Sequence, residues 1–413
     1  MLLVHNFFIF IIILFSPIII LVRIIQNKEN PKRFFEKFTI FSKKKTKGKL
    51  VWFHAVSVGE FLSILPIIEK LEKEKTINQL LITSTTLTSS KLFERYNFKK
   101  TIHQFFPIDY YFFTNRFINY WKPSLAIFVD SEIWPSMIYS IKKKSIDMIL
   151  LNARISKNSF RRWNLLGFFA SKIFKNFSFT YPQNKETKKY LHKLGVKNIK
   201  ILGNLKFCQK AKKINNINLN FKNFIKNKEI WCAMSTHEGE EKICLGVQKK
   251  LLRKRKNLLL IIIPRHINRL KIVENEIKEA GLYYHKHSEV NKIDDKTNVY
   301  VVDTYGEAEA FLYYSKLVFI GKSITKKGGQ NPLEAARNNC KIFHGPHVSN
   351  FEEIYDFLGK KKISTKITNL TSLKNKIDLN LKTKNNLKLV KNKINLIGKK
   401  ILKNNLIEIK KYL

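Results

Sequence analysis

Carboxylates, a guanidinium and a glycine-flanked asparagine recur at the ends of short apolar runs, where backbone can hold them and a ligand can reach them. The run Leu50–Ala55 ends in Val56-Ser57-Val58-Gly59-Glu60, so Glu60 opens the helical pattern that follows. A carboxylate there either complements the helix dipole or serves as a general base. The run ending at Val129 continues into Asp130-Ser131-Glu132-Ile133-Trp134-Pro135, two carboxylates and an indole in one turn. That set suits hydroxyl or carbohydrate recognition as well as ordinary capping. Leu151-Asn152-Ala153-Arg154-Ile155-Ser156 is a further polar strand end, and Gly203-Asn204-Leu205-Lys206-Phe207 adds a lysine.

A second series follows the same logic. Pro264-Arg265-His266 closes one apolar run with a guanidinium suited to phosphate or carboxylate, and Asp303-Thr304-Tyr305-Gly306-Glu307 closes another. In Lys327-Gly328-Gly329-Gln330-Asn331-Pro332-Leu333-Glu334-Ala335-Ala336, the glycines permit close backbone approach, Asn331 is the expected N-cap and Pro332 fits N1. The exposed amides of that helix start suit a nucleotide phosphate with Glu334 on a ribose hydroxyl; equally, Glu334 is the acid of a capping box. Met234-Ser235-Thr236-His237-Glu238-Gly239-Glu240-Glu241 is not H-E-x-x-H, which excludes a zinc-protease reading, and Ser235 with Glu238 has capping-box spacing. Gly321-Lys322-Ser323 resembles the end of a phosphate-binding P-loop, but Lys316 stands in place of its first glycine.

The elements that must position these residues alternate between strand and helix. Strands are predicted at Leu50–Ala55, Leu80–Thr83, Leu125–Val129 and Met148–Leu151, then at Ile230–Met234, Leu258–Ile263, Val299–Val302, Leu317–Ile320 and Ile342–Phe343. Phe61–Leu71 carries Ile64, Leu65, Ile68 and Leu71 on one helical face. Alternation predicts parallel α/β sheets, and two series divided by the polar stretch 209–228 predict two doubly wound domains with a cleft between them. The expected boundaries are 1–27 for an apolar anchor, 28–49 for a basic linker, 50–208 for the first domain and 209–413 for the second. From Lys360 onward the chain is rich in Lys, Asn and Leu at helical spacing and bears no obvious chemistry.

Composition sets the outer bounds. The chain has 413 residues, 77 Lys plus Arg against 31 Asp plus Glu and a net charge of +46, with 44% apolar residues. It is long enough for a full core and calls for an anionic partner or surface, unless the excess of Lys is compositional drift. Phe7–Val22 is apolar but for Ser16, and Arg23, Lys28, Lys32, Arg33, Lys37 and Lys43–Lys45 follow. This reads as a membrane anchor with the basic flank and the bulk of the protein on the cytoplasmic side; the alternatives are a buried core helix or a cleaved signal peptide. The four cysteines, Cys208, Cys232, Cys244 and Cys340, are dispersed, which argues against a disulfide framework or structural zinc. Nucleic acid is not expected, since no zinc finger, basic zipper or RNP-like aromatic cluster is present.

Taken in order, H-A-V-S-V-G-E, D-S-E-I-W-P, L-N-A-R-I-S, G-N-L-K-F, S-T-H-E-G-E-E, P-R-H, D-T-Y-G-E, G-G-Q-N-P-L-E and H-G-P-H-V-S-N-F resemble the 3-deoxy-D-manno-octulosonic acid (Kdo) transferases of lipopolysaccharide assembly, over about Val51 to Leu358. The resemblance implies an α/β GT-B fold, with two Rossmann-like domains facing a cleft and an N-terminal hydrophobic helix. It implies inverting transfer of Kdo from CMP-Kdo to a lipid A precursor (lipid IVA) at the inner membrane. CMP-Kdo is then a co-substrate, with no cofactor and no metal. By the same resemblance Glu60 is the catalytic base, while Asp130 and Lys206 stabilise the transition state. Pro264, Arg265, Gly306, Glu307, Ala308, Asn331, Pro332, Leu333 and Glu334 bind CMP. The chain departs from the family pattern in Asp130-Ser131-Glu132, where Glu-Thr-Glu is usual, so either Asp130 or Glu132 is the functional carboxylate. It departs also at Ile267, Lys322, Gln330 and Ala335. A GT-B enzyme using another nucleotide sugar, or a membrane-tethered nucleic-acid-binding protein, are the competing readings.

Overall fold

The computed structural model describes residues 2–209, 217–382 and 388–413, with side chains left undescribed at 388–390. Two compact units divide the chain: Met1–Gln209 with Ile397–Leu413, and Lys210–Leu396. The last residues therefore pack with the first unit, whereas the sequence placed all of 209–413 in the second.

The first unit opens with α1 (Leu2–Ile25), long and apolar enough by length and composition to cross a membrane. Its strands are β1 (Leu50–His54), β2 (Gln79–Ser84), β3 (Thr101–Phe105), β4 (Leu125–Val129), β5 (Asp147–Ala153) and β6 (Phe179–Pro182). Its helices are α2 (Val58–Leu71), α3 (Leu87–Phe93), α4 (Tyr111–Trp121), α5 (Pro135–Lys143), α6 (Lys157–Leu165), α7 (Gly167–Phe174) and α8 (Lys185–Lys193). The sheet order is β3-β2-β1-β4-β5-β6, and every pairing is parallel. This is the dinucleotide-fold order, in which the connections change direction between β1 and β4. β1 is wholly buried, as a strand covered on both faces must be. Trp52, Phe117, Phe128, Met137, Ile141 and Phe174 join β1, β4, α4, α5 and α7 in one core, and the Trp52 indole donates to Thr83 Oγ1 at 2.9 Å inside it.

The second unit has strands β7 (Glu229–Thr236), β8 (Leu258–Pro264), β9 (Tyr284–Lys286), β10 (Val299–Val301), β11 (Leu317–Ile320), β12 (Lys341–His344) and β13 (Ser364–Lys366). Helix α9 (Leu219–Phe224) precedes them, and α10 (Glu240–Leu252), α11 (Leu270–Glu279), α12 (Ala308–Tyr314), α13 (Leu333–Arg337), α14 (Glu352–Lys360) and α15 (Leu370–Leu381) lie between or after them. The order β13-β12-β11-β7-β8-β10-β9 is again parallel throughout and changes direction between β7 and β11. A final helix, α16 (Lys388–Lys410), carries the chain from the second unit back to the first. There Gly398 lies against the backbone of Phe207, with the Cys208 thiol donating to the Gly398 carbonyl at 3.3 Å.

Strands β3, β6, β9 and β13 are not apolar runs, because polar residues interrupt them or make up most of their short length. In β3 the buried His103 accepts at Nδ1 from Arg33 Nη2 at 3.1 Å, which leaves Nε2–H to donate to Ser84 Oγ at 2.8 Å.

Candidate functional site

In sheets of this kind ligands bind beyond the carboxyl ends of the strands, where the connections reverse. In the first unit that place is bounded by the segments after β1 and β4, which are the Glu60 and Asp130–Trp134 segments. Ser57 caps α2 and Glu60 completes a capping box, its carboxylate accepting from Val56 N–H at 2.7 Å and from the Ser57 hydroxyl at 2.9 Å. Both readings of Glu60 thus have a structural footing. Its carboxyl is half-buried, and burial together with the charge of Asp130 raises its pKa to about 7, against the opposing bonds from Ser57 and Val56. Those same bonds fix the carboxylate in place.

Asp130 sits at the end of β4 in the left-handed region, φ 59°, and Asn152 at the end of β5 does the same, φ 53°. Asn152 donates to the Asp130 carboxylate and accepts from Leu205 N–H at 2.9 Å, so one amide side chain ties β5 to both the acid and the Lys206 turn. That turn, Leu205–Cys208, is a short 3-10 segment capped by Asn204. Burial lowers the Lys206 pKa, while the charges of Asp130 and Glu60 work to raise it. Glu132 accepts from the Trp134 indole at 2.9 Å, and burial followed by the charge of Glu60 pushes its pKa up to about 8. Behind it stands His54, fully buried, with Nδ1 2.9 Å from Thr83 Oγ1 and Nε2 3.7 Å from Glu132. Burial takes the His54 pKa down to about 3, so the neutral imidazole makes no ion pair with Glu132. Three carboxyls, a lysine and a neutral histidine converge, and burial, reinforced by the shared negative charge, is why two of the acids hold their protons to near neutrality.

The second unit repeats the placement with the opposite charge. The segments after β7 and β11 carry His237 and Lys322, and Arg265 and His266 follow β8. Burial, Lys322, His266, Arg265 and Arg269 drive the His237 pKa down to about 4. Arg269 is held by Glu241 at 2.8 Å, while Arg265 is exposed. Concentrated positive charge beside exposed backbone recognises an anion such as a phosphate. The segment is pinned from below by Glu240, fully buried, whose carboxylate accepts from the backbone N–H groups of His237 (3.0 Å), Lys322 (2.7 Å), Ser323 (2.9 Å) and Ile324 (3.0 Å). Gly321 makes room for it, since a Cβ there would meet Ser235 O at 2.4 Å.

The structure places the expected residues unevenly. Glu60, Asp130 and Lys206 act on one another electrostatically. Pro264 ends β8 beside Thr236, and Arg265 N–H donates to Thr236 O at 3.2 Å. Gln330 reaches His237 at 3.3 Å, which brings the glycine-rich segment to the same cluster. The helix after it starts later than expected: α13 begins at Leu333 and has only 5 residues, with Asn331 Oδ1 accepting from Leu333 N–H at 3.1 Å. Asn331 thus forms a tight side-chain turn ahead of Pro332, and Leu333 and Glu334 open the helix. Gly306 is in the left-handed region, φ 91°, ahead of Ala308, and Glu307 belongs to a separate network, accepting from Thr304 and lying 3.3 Å from His287 Nε2. The expected Ser235–Glu238 capping box does not form; Glu238 pairs with Lys326 at 3.2 Å and Gly239 caps α10. Glu240, Asn152 and His54 are the residues that sequence reasoning missed. The run of three acids in H-E-G-E-E held a signal for Glu240, but only the fold tells which acid turns inward.

Comparison with known proteins bears on these two clusters. The family model described as 3-Deoxy-D-manno-octulosonic-acid transferase (kdotransferase) matches residues 32–209. The 3-deoxy-D-manno-octulosonic acid transferase of Rickettsia bellii is 34% identical over 365 residues, 87% of this chain and 86% of its own. The enzyme of that name from Haemophilus influenzae is 30% identical over 315 residues, covering 75% and 73%. Among solved structures, a UDP-N-acetylglucosamine 2-epimerase matches with a TM-score of 0.61 over 89% of this chain and 97% of its own, at 10% identity. A putative epimerase of the same name from Listeria monocytogenes matches at 0.57, over 85% and 91%, with 13% identity. These two likenesses show the GT-B type of fold and nothing further. With identity sustained across both units, the chain belongs to the 3-deoxy-D-manno-octulosonic acid transferase family of glycosyltransferases.

Proposed function

We propose that this protein transfers Kdo from CMP-Kdo to a hydroxyl of a lipid A precursor, with inversion at the anomeric carbon, while attached to the inner membrane. The observation that carries the reading is the carboxyl cluster at the reversal point of the first sheet, where Glu60 has a pKa of about 7. A base of that strength is half-ionised near neutral pH and still accepts a proton readily. Glu60 takes the proton of the acceptor hydroxyl as its oxygen attacks the anomeric carbon, and the bond from that carbon to the CMP phosphate breaks, its electron pair leaving with the phosphate. Asp130, or Glu132 beside it, faces the positive charge that develops on the sugar, and Lys206 offsets the charge on the departing phosphate. The Arg265, His237 and Lys322 cluster holds the phosphate of the nucleotide. Asn331–Glu334, with Gly306–Ala308 and Pro264, supports its ribose and base. These steps use protein groups alone, so the reading assigns no role to a metal or cofactor.

The test is a radiolabel assay of the full chain in detergent, with CMP-Kdo generated in situ and a tetra-acylated lipid A precursor, resolved by thin-layer chromatography. Labelled lipid is the expected result. No labelled lipid alongside a working control transferase, or turnover only with another nucleotide sugar, overturns the assignment.

A further inference from the structure

Every polar side chain of α1 lies on one stripe, and that stripe faces the protein. Ser16 is buried, and the half-buried positions of α1, among them His5, Asn6, Ile13, Ile20 and Arg23, recur with it at helical spacing. The rest of the circumference is apolar and open, with Leu3 at 85%, Ile18 at 65% and Ile25 at 71% exposed. Both ends of the helix are tied to the same unit. At the start, His5 Nε2 lies 2.9 Å from the buried Asp109 carboxylate, and Asn6 Oδ1 accepts from Tyr111 N–H at 2.7 Å. Asp109 in turn accepts from Ser136 and Met137 N–H, at 3.2 and 2.8 Å, so it joins α1 to the first turn of α5. At the far end, Arg23 donates to the buried Glu29 at 3.1 Å, and Glu36, fully buried, accepts from Arg33 at 2.7 Å and from Phe105 N–H of β3 at 2.8 Å.

A helix that crosses a bilayer has its ends on opposite sides, so both cannot rest on one folded unit. We propose that α1 does not span: it lies lengthwise on the first unit, polar stripe inward, with its apolar faces sunk into one leaflet of an anionic membrane and both ends on the cytoplasmic side. This rests on the membrane attachment proposed above and gives it an orientation.

A second exposed apolar feature lies in the same unit, one helix away from α1. α5 touches both α1 and α7. The α6–α7 corner beyond it buries nothing from α6, exposes Leu165 at 85% and Phe168 at 83%, and flanks them with exposed Lys157, Arg161 and Arg162. Apolar tips ringed by basic residues suit insertion between anionic headgroups, and that charge complementarity selects a lipid surface as occupant.

Topology decides the matter. A short hydrophilic tag bearing one cysteine is fused ahead of Met1 in the full chain, whose own cysteines are all buried. Spheroplasts are treated with a membrane-impermeant maleimide before and after osmotic lysis. Labelling only after lysis is expected; labelling of intact spheroplasts, or none in either state, overturns the in-plane arrangement. In parallel, retention on vesicles of anionic phospholipid is measured for the full chain and for L165D/F168D, with transfer to detergent-solubilised acceptor as the folding control. Removal of two inserted apolar side chains is expected to weaken retention about tenfold or more with transfer unchanged. Equal retention of the variant overturns the corner's part in the surface. Failure of the unaltered chain to bind any vesicle strikes at membrane attachment itself, and thus at the reading on which this one stands.

Discussion

Replacing the Glu240 carboxylate by an amide changes no volume, yet the surroundings of that group make the change costly. Oε1 accepts from Ser323 and Ile324 N–H, and Oε2 from His237 and Lys322 N–H. In Glu240→Gln one oxygen keeps its pair of donors, while the NH2 group faces the other pair whichever way the amide turns. Two bonds to a charged acceptor are lost, each worth about 1.5–3 kcal/mol, and two donors are left facing another donor in a fully buried site. Removal of a buried charge returns part of this, so roughly 3 kcal/mol of local destabilisation is expected. At 1.4 kcal/mol per decade that is about a hundredfold rise in the opening equilibrium of the segment. Hydrogen exchange followed by mass spectrometry on a peptide covering Lys322–Ile324 reads it directly, as about a hundredfold faster exchange with strands β7 and β8 unchanged. CMP affinity should fall with it, because Lys322 and His237 lose their fixed positions. Exchange within threefold of the parent would refute the claim that this carboxylate organises the segment.

Other consequences follow from the same geometry. Glu60→Gln should lower transfer by at least a thousandfold while CMP binding, measured by calorimetry, stays within twofold. In the parent, kcat/KM should rise with pH through about 7 as Glu60 ionises; a pH-independent acidic limb would dismiss Glu60 as the base. The linked effect on stability has a definite sign. A carboxyl whose folded pKa is raised favours the folded state fully below the unfolded value, about 4.5, and that contribution is lost as pH rises through about 7. The parent's denaturation midpoint should therefore drop over this window by more than that of Glu60→Gln. Gly398→Ala places a Cβ 2.2 Å from the Phe207 carbonyl oxygen, so the Lys206 turn must shift. kcat should fall at least tenfold with CMP affinity unchanged, measured by steady-state kinetics and calorimetry. Arg265→Ala should weaken CMP binding about tenfold and flatten its salt dependence in titrations at two ionic strengths.

The elements that the sequence made legible are the ones buried on both faces. β4 and β8 are unbroken apolar runs and β1 is apolar up to His54, and in a parallel sheet such runs have little alternative to being strands. Glu60, Asp130 and Lys206 were legible as members of a family pattern, and Arg265 also as a guanidinium at a strand end. What stayed hidden depends on contacts far apart in sequence. Asn152 reads as a turn residue until Asp130 and Leu205 are brought to its two ends, and His54 reads as part of a strand until Thr83 and Glu132 close around it. The start of α13 was misplaced because Asn-Pro fits a helix cap and a side-chain turn equally well. The apolar segment at the amino terminus reads as a membrane anchor from its length and basic flank, while the partners of His5 and Asn6 are Asp109 and Tyr111, a hundred residues away and invisible to local pattern.

The return of Ile397–Leu413 to the first unit has a consequence for the order in which the protein is made. Domains generally form as they leave the ribosome, from the amino end onward. Here the first sheet and α1 emerge ahead of the second unit, but the segment that braces the Lys206 turn emerges after it. The nascent chain can therefore meet the membrane before its lysine is set in place, and the first unit is complete only after the whole second unit has been made.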